Sequence, residues 1–415
     1  MNHSPGISVI VPTYNCVDFI QQCIDSLLKQ TFDDFEIIIV DDGSTDGTDA
    51  IAKQYAANHS IISFFSQQHQ YAGAARNLGI DRSKGKYLLF LDGDDYFDTN
   101  LLLHTYNRIE ETEADVCVFG AGYLNNETGD ITYTRSSFNV SICPSTPTFN
   151  RISNPRYIFN FTTPAPWTKL FRKSYIVDNN IRFQNTRSAN DIRFVFTAIA
   201  AARRITVLDE FLVIYRQQNN SSLQATQHKD PMAFYNALIS LQSELESRGL
   251  MTPIRKAFDN VALVNCVYNL HSLEKHPLIQ QGLFDFLQTQ GLSELGIADK
   301  PRSWFYMHST SRLNDFEVIQ RGTFEQFKHR SKNQTSSHNQ TKGKPMNSSD
   351  SAFRKTIRSI IPLRASVFEK SKKQLLSEIK SINKELERLR EENNNLSDKL
   401  SALIMEIQEN KDRSI

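Results

Sequence analysis

Between Ile7 and Phe119, five apolar runs alternate with amphipathic stretches, a pattern few folds accommodate. The runs are ISVIV (7–11), EIIIV (36–40), IISFF (61–65), YLLFL (87–91) and DVCVF (115–119). Continuous apolar runs of this length read as strands buried on both faces, so helices must cover them above and below. The intervening stretches supply helices, most clearly Val17–Lys29, where Phe19, Ile20, Cys23, Ile24, Leu27 and Leu28 form one apolar stripe. Alternating βα units predict an α/β fold with a doubly wound, mostly parallel sheet and right-handed crossovers.

In such sheets ligands bind at the carboxyl ends of the strands. The fourth run enters three carboxylates, Asp92, Asp94 and Asp95. Crowded carboxylates repel one another unless a cation sits among them, and a divalent metal holding a phosphorylated ligand is the simplest answer. A polar turn capping a helix at Thr99–Glu111 is the alternative, although one carboxylate would suffice for that. The first strand ends in Pro12, Thr13, Tyr14 and Asn15. Tyr14 is suited to stacking on a nucleobase, and Thr13 and Asn15 to bonding ribose or base. The second ends in VDDGSTDGT (40–48), where Asp41 or Asp42 can accept from a base N3–H and ribose hydroxyls. The same segment also reads as a helix start capped by Ser44, Thr45 or Asp46; the two readings are compatible. GAARN (73–77) brings Arg76 towards this edge, where it would neutralise phosphate, unless it is a solvated surface arginine.

The rest of the chain divides by composition. A mixed region predicts a helix near Asp191–Ala202 and a strand near Phe211–Arg216. From Pro231 to Lys328 the pattern is mainly helical, clearest at Met232–Leu245 and Pro253–Leu273. Residues 329–351 are polar and read as a linker. Residues 352–373 carry seven Lys/Arg against Glu369 alone, with Phe353, Ile357, Ile360 and Ile361 at helical spacing. That composition suits a membrane surface, and equally a solvated charged helix. Beyond it, Leu375, Ile382, Leu389, Leu396 and Leu403 alternate with Ile379, Leu386, Asn393, Leu400 and Ile407 in steps of four and three. This heptad predicts a coiled coil over 374–411, and the lone Asn393 at a favours a parallel homodimer. The expected divisions are therefore 1–120, 121–222, 223–328, 329–351, 352–373 and 374–411.

A net charge of +1 argues against a chain-wide nucleic-acid surface. Cys16, Cys23, Cys117, Cys143 and Cys266 lack CxxC spacing and an even framework, and read as buried, reduced thiols. With no apolar run near 18 residues and a strand pattern starting at once, neither a signal peptide nor a membrane span is expected. A cytoplasmic location follows, peripheral at the inner face of a membrane if the basic segment binds one.

In ISVIVPTYN, LLKQTF (27–32), EIIIVDDGSTDGT, GAARN and GKYLLFLDGDDYF the sequence resembles the family 2 inverting glycosyltransferases of bacterial type, over about residues 5–217. That family has the GT-A fold, a Rossmann-like domain. The resemblance implies that Tyr14 and Asp42 hold the uracil of a UDP-sugar, with Arg76 nearby. It also makes Asp92 and Asp94 a DxD motif for Mn2+ or Mg2+. Asp94 would be the main metal contact, with Asp92 and Asp95 assisting through ribose or metal-bound water. PAPWTKLFRKSYIVDNNIRF (164–183) resembles the acceptor-side WxKL segment, and ANDIRF (189–194) makes Asp191 the general base. Acceptor-side candidates are Trp167, Lys169, Asn190 and Arg216; core packing is as good a reading for Trp167. YRQQNNSS (215–222) resembles a closing strand and a loop near the donor phosphates. Asn190 departs from the family, which usually has Glu there.

The expected activity is metal-dependent transfer of a hexosyl or N-acetylhexosaminyl group from a UDP-sugar to a hydroxyl of a glycan, lipid-linked or polysaccharide acceptor. A scaffold acting through its coiled coil is one alternative. A Mg2+-dependent phosphotransfer-type domain is another, but such domains place the essential Asp after an early strand.

Overall fold

The computed structural model describes residues 4–330 apart from 127, 136, 218–226 and 307–308. The expected coiled coil, the basic segment and all but the first two residues of the expected linker lie outside the described residues. Those two, His329 and Arg330, continue a helical backbone.

The first half follows the expected alternation. It runs β1 (Ile7–Thr13), α1 (Val17–Leu28), β2 (Phe35–Asp41), α2 (Thr48–Asn58), β3 (Ile62–Ser66), α3 (Tyr71–Arg82) and β4 (Tyr87–Phe90). These strands pair in parallel in the order β3-β2-β1-β4. Successive side chains along a strand alternate between two apolar cores. Ile10, Ile38, Val40, Leu88 and Phe90 face one, and Val9, Val11, Ile37, Ile39, Leu89 and Leu91 face the other. Burial on both faces is why the runs are so largely apolar, and the polar Ser8 on β1 is satisfied by donating to Glu36 on β2 at 2.6 Å.

The second half corrects the expectation of a mostly parallel sheet. β5 (Tyr96–Phe97), α4 (Leu101–Thr112), β6 (Val116–Asn125) and β7 (Ile131–Tyr133) come first. β8 (Lys169–Arg172), α5 (Lys173–Asp178), α6 (Asn190–Ala201) and β9 (Ile205–Gln217) follow. Among the described residues the sheet has nine strands in the order β3-β2-β1-β4-β8-β6-β9-β5, with β7 beside β6. β8 lies antiparallel between β4 and β6, β9 runs parallel to β6, and β5 is antiparallel to β9. An antiparallel strand begins where its neighbours end. The start of β8, with Trp167 and Lys169, therefore arrives at the carboxyl edge of β4.

Four longer helices complete the described chain: α7 (Ala233–Ser247), α8 (Met251–Ser272), α9 (Pro277–Phe286) and α10 (Thr310–Arg321). α7 packs on α6 and α8 on α7. Their apolar residues, including Leu238, Leu241, Phe258 and Leu263, join the same core as one face of the sheet. Among the described residues no helix is long and apolar enough to cross a membrane.

Candidate active site

The first two strand ends are level and cross-linked. Thr13 pairs with Asp41 in register, and the Asp42 amide donates to the Thr13 carbonyl at 2.9 Å. Leu91, just past β4, donates to Ile10 on β1 at 3.0 Å. The order β3-β2-β1-β4 reverses direction at β1, so the loops after β1 and β4 flank a crevice of the kind that binds nucleotides. Gly93 fits against them: a Cβ there would lie 3.1 Å from Thr13 Cγ2 and 3.5 Å from the Pro12 carbonyl oxygen.

Several candidate donor ligands are occupied in shaping this edge. Asp41 accepts from the amides of Gly43 (3.2 Å) and Ser44 (3.0 Å) and from Thr13 Oγ1 (3.2 Å). The Asn15 side chain accepts from the Thr45 amide at 2.8 Å, and its own amide donates to Ser44 Oγ at 3.0 Å. Asp46 does the work expected of a cap, but one residue displaced. α2 starts at Thr48 behind a left-handed Gly47 (φ 98°), and Asp46 accepts from the Thr48 amide at 3.0 Å and from Val17 on α1 at 3.0 Å.

Asp42 is only 2% exposed. Its Oδ1 accepts from Gln67 Nε2 (2.7 Å) and the Gln70 amide (2.8 Å), while His69 Nδ1 lies 2.8 Å from Oδ2. The His69 ring stacks on Tyr14 with centroids 4.2 Å apart, and Tyr14 remains 47% exposed. Gln67 and His69 were not among the expected residues, although they follow β3 on the edge that the strand-end rule singles out.

Arg76 is buried, not a solvated surface arginine. Its Nη2 donates to Asp92 Oδ1 at 2.6 Å and its Nη1 to Asn190 Oδ1 at 2.9 Å, with the guanidinium 5.3 Å from the Phe183 ring centroid. One fork thus joins the β4 end to the first turn of α6. The close approach depends on Gly73, where a Cβ would lie 2.0 Å from the Gln184 carbonyl oxygen and 3.2 Å from Asn190 Cβ. Asp191, next along α6, has its pKa raised by burial and by Asp92, with Arg76 pulling the other way.

Asp92 and Asp94 are half-buried at the mouth, and Asp95 is buried beneath them. Asp95 accepts from the Arg216 amide at 2.9 Å, and its other oxygen has no partner. Burial and the charges of Asp94 and Asp92 push its carboxyl well above the usual range. Arg216, expected on the acceptor side, takes partners elsewhere. It packs over Phe19 and Tyr96 and donates to Gln22 and to Asn126 (3.2 Å). Burial raises the pKa of its neighbour Tyr215, and the three aspartates push it in the same direction.

Trp167 and Lys169 reach this edge but turn inwards. Trp167 is 9% exposed and stacks on Tyr215 at 5.2 Å and 9°, which favours the core reading. Lys169 is fully buried, and its three protons go to the carbonyls of Thr163 (2.9 Å) and Ala165 (2.8 Å) and to Thr168 Oγ1 (3.0 Å). Burial pushes its pKa down to about 7, against a small upward pull from Asp191. No donor is left for an acceptor sugar.

The chain is similar to known proteins in sequence and in fold. The model of "Glycosyl transferase family 2" matches residues 8–178. The chain is 32% identical over 244 residues to the uncharacterized glycosyltransferase EpsJ of Bacillus subtilis (strain 168), covering 56% of this chain and 70% of EpsJ. It is 29% identical over 242 residues to the poly(ribitol-phosphate) beta-N-acetylglucosaminyltransferase TarS of Staphylococcus aureus (strain Mu50), covering 57% of this chain but only 40% of TarS. The crystal structure of TarS residues 1–349 with UDP-GlcNAc has the same fold, with a TM-score of 0.54 and 21% identity over 80% of this chain and 92% of that one. With a strand order that builds a nucleotide crevice and a relative matched over most of its length, the chain belongs to glycosyl transferase family 2 and is a glycosyltransferase.

Proposed function

We propose that the chain is an inverting transferase that moves a sugar from a UDP-sugar to a hydroxyl of a glycan, lipid-linked or polysaccharide acceptor, with Asp191 as general base. The observation that carries this reading is the Arg76 fork, which ties Asp92 to Asn190 beside Asp191. TarS, solved with UDP-GlcNAc, supports the choice of donor.

The residues form two ends of one reaction. As the acceptor oxygen bonds to the anomeric carbon, the bond to the diphosphate breaks and its electron pair leaves with UDP. Arg76 is a fixed, buried cation against that developing charge. The acceptor proton goes to Asp191, whose raised pKa suits a base that must accept it. Attack opposite the leaving group inverts the anomeric carbon, as in inverting glycosidases with the acceptor in place of water.

The aspartate cluster fits a hard divalent cation. Asp92 and Asp94 sit half-exposed over Asp95, whose second oxygen has no partner. Among the described residues no three His, Cys, Asp or Glu side chains already converge as a metal cage. Two carboxylates completed by diphosphate oxygens is the usual Mg2+ arrangement, so Asp94 and Asp92 would hold Mn2+ or Mg2+. When bound, the ion would neutralise diphosphate charge.

A panel of UDP-sugars with Mn2+ or Mg2+ tests the reading on wild type and Asp191→Asn. Transfer is expected to fall by about 10²–10⁴ in the mutant while UDP binding persists. Retention of anomeric configuration in product NMR would overturn the single-base mechanism. The proposal extends to a homodimer through the heptads of 374–411 and to membrane contact through 352–373. A monomer in analytical ultracentrifugation would count against the first. Failure to bind anionic vesicles would count against the second.

A further inference from the structure

His69 makes the two contacts by which this site would hold a nucleobase. Its ring stacks on Tyr14 at 4.2 Å and 26° and meets the edge of Tyr71 at 4.8 Å. Its Nδ1 lies 2.8 Å from Asp42 Oδ2 and 3.2 Å from the Asp42 carbonyl oxygen. Uracil would make the same pair of contacts, stacking on Tyr14 and presenting its N3–H to Asp42. Imidazole is a planar heteroaromatic ring with the same kind of donor.

Ring and base exclude one another. Asp42 is 2% exposed, with Oδ1 held by Gln67 and Gln70, while Oδ2 lies 2.8 Å from His69 Nδ1 and is buried without a hydrogen-bond partner. A third ring between Tyr14 and His69 would need a separation of about 7 Å, twice the ordinary carbon–carbon contact. A base laid on the other side of Tyr14 would have the tyrosine between itself and Asp42. The loop carrying His69 is also poised against its own backbone preference. It runs into Tyr71 at φ +69°, a left-handed conformation that an aromatic residue rarely adopts.

We infer that His69 is a gate that mimics the nucleobase: its imidazole fills the base subsite on Tyr14 and Asp42 and swings aside when the UDP-sugar enters. The inference rests on the UDP-sugar reading above. An occupied subsite weakens apparent affinity by the fraction of molecules with the gate open. A gate closed in nine molecules of ten would therefore cost about tenfold in Kd.

Isothermal titration of UDP into the full chain tests this with wild type, His69→Ala, His69→Phe and Tyr14→Ala. His69→Ala is expected to bind UDP about tenfold more tightly than wild type. His69→Phe keeps the stack but loses the donor to Asp42, so it falls between the two, and it serves if the alanine variant does not fold. UDP binding that is unchanged or weaker in both His69 variants overturns the gate. If Tyr14→Ala still weakens binding in that case, the donor reading stands without it. Absence of UDP binding in every variant overturns both.

Discussion

The Asn190 side-chain oxygen accepts a hydrogen bond from Arg76 Nη1 at 2.9 Å, across 114 residues of chain. An amide here, where the family resemblance leads one to expect Glu, leaves Asp92 at 2.6 Å as the carboxylate that ion-pairs with the guanidinium. That charge is also what restrains the upward pKa shift of Asp191.

Asn190→Glu should therefore place a second carboxylate on Arg76 and weaken its field at Asp191. The base works ionised, so activity is lost as pH falls through its raised pKa. In the variant the acid limb of the kcat/KM profile should lie at higher pH than in wild type. Coincident profiles would show that Asn190 does not communicate with the base.

Arg76→Met removes the buried cation while keeping most of its volume. Losing one preorganised group against developing charge typically costs about 10²–10³ in rate, and a fall of that size in kcat/KM is expected. A change of less than about threefold would remove Arg76 from the leaving-group end of the mechanism.

Gly73→Ala puts a methyl group 2.0 Å from the Gln184 carbonyl oxygen. Backbone cannot give way as a side chain tip can, so overpacking of about 1–3 kcal/mol is expected. Urea unfolding should report it, together with a lower kcat as α6 is pushed away from Arg76.

Trp167→Ala deletes a ring packed on Tyr215, and the loss should approach the 3–5 kcal/mol of a large core truncation. Trp167→Phe should be milder and leave the acceptor KM close to wild type. A tenfold rise in acceptor KM at unchanged stability would reassign the residue to sugar stacking.

Lys169 carries a pH signature of its own. Its pKa falls from 10.5 to about 7 on burial, so between those values the unfolded chain binds more protons than the folded one. Stability contributed by this group should rise with pH across that window, and its cost is fully present below it. Burial raises the pKa of the cysteines and tyrosines, which lose protons near the upper end only on unfolding, so the comparison is wild type minus Lys169→Met in urea unfolding. The difference should shift in favour of wild type as pH rises; a flat difference would refute the buried-cation account.

Legibility followed the range of the interactions. β1, β2 and β4 are legible because burial on both faces makes nearly every residue of the strand interior apolar. β8, KLFR, spans four residues and carries two charges, so no periodicity betrays it. Its antiparallel insertion is decided by pairing with β4 and β6. His69 sits in a polar run, SQQHQ, with no local signal. Only its place after β3, on the same edge as Tyr14 and Asp42, could have pointed to it.

Apolar runs and strand-end motifs are local features, so the alternating architecture and the edge where Tyr14, Asp42, Arg76 and Asp92 gather are legible along the chain. Which of those groups are already committed to partners is settled by the folded chain. Asp41 and Asn15 are both committed to the loop after β2, Lys169 and Trp167 face inwards, and His69 covers Asp42. Those assignments depend on hydrogen bonds and stacks between distant segments. A buried polar group takes whichever partner the fold brings within about 3 Å, and no local pattern records that choice.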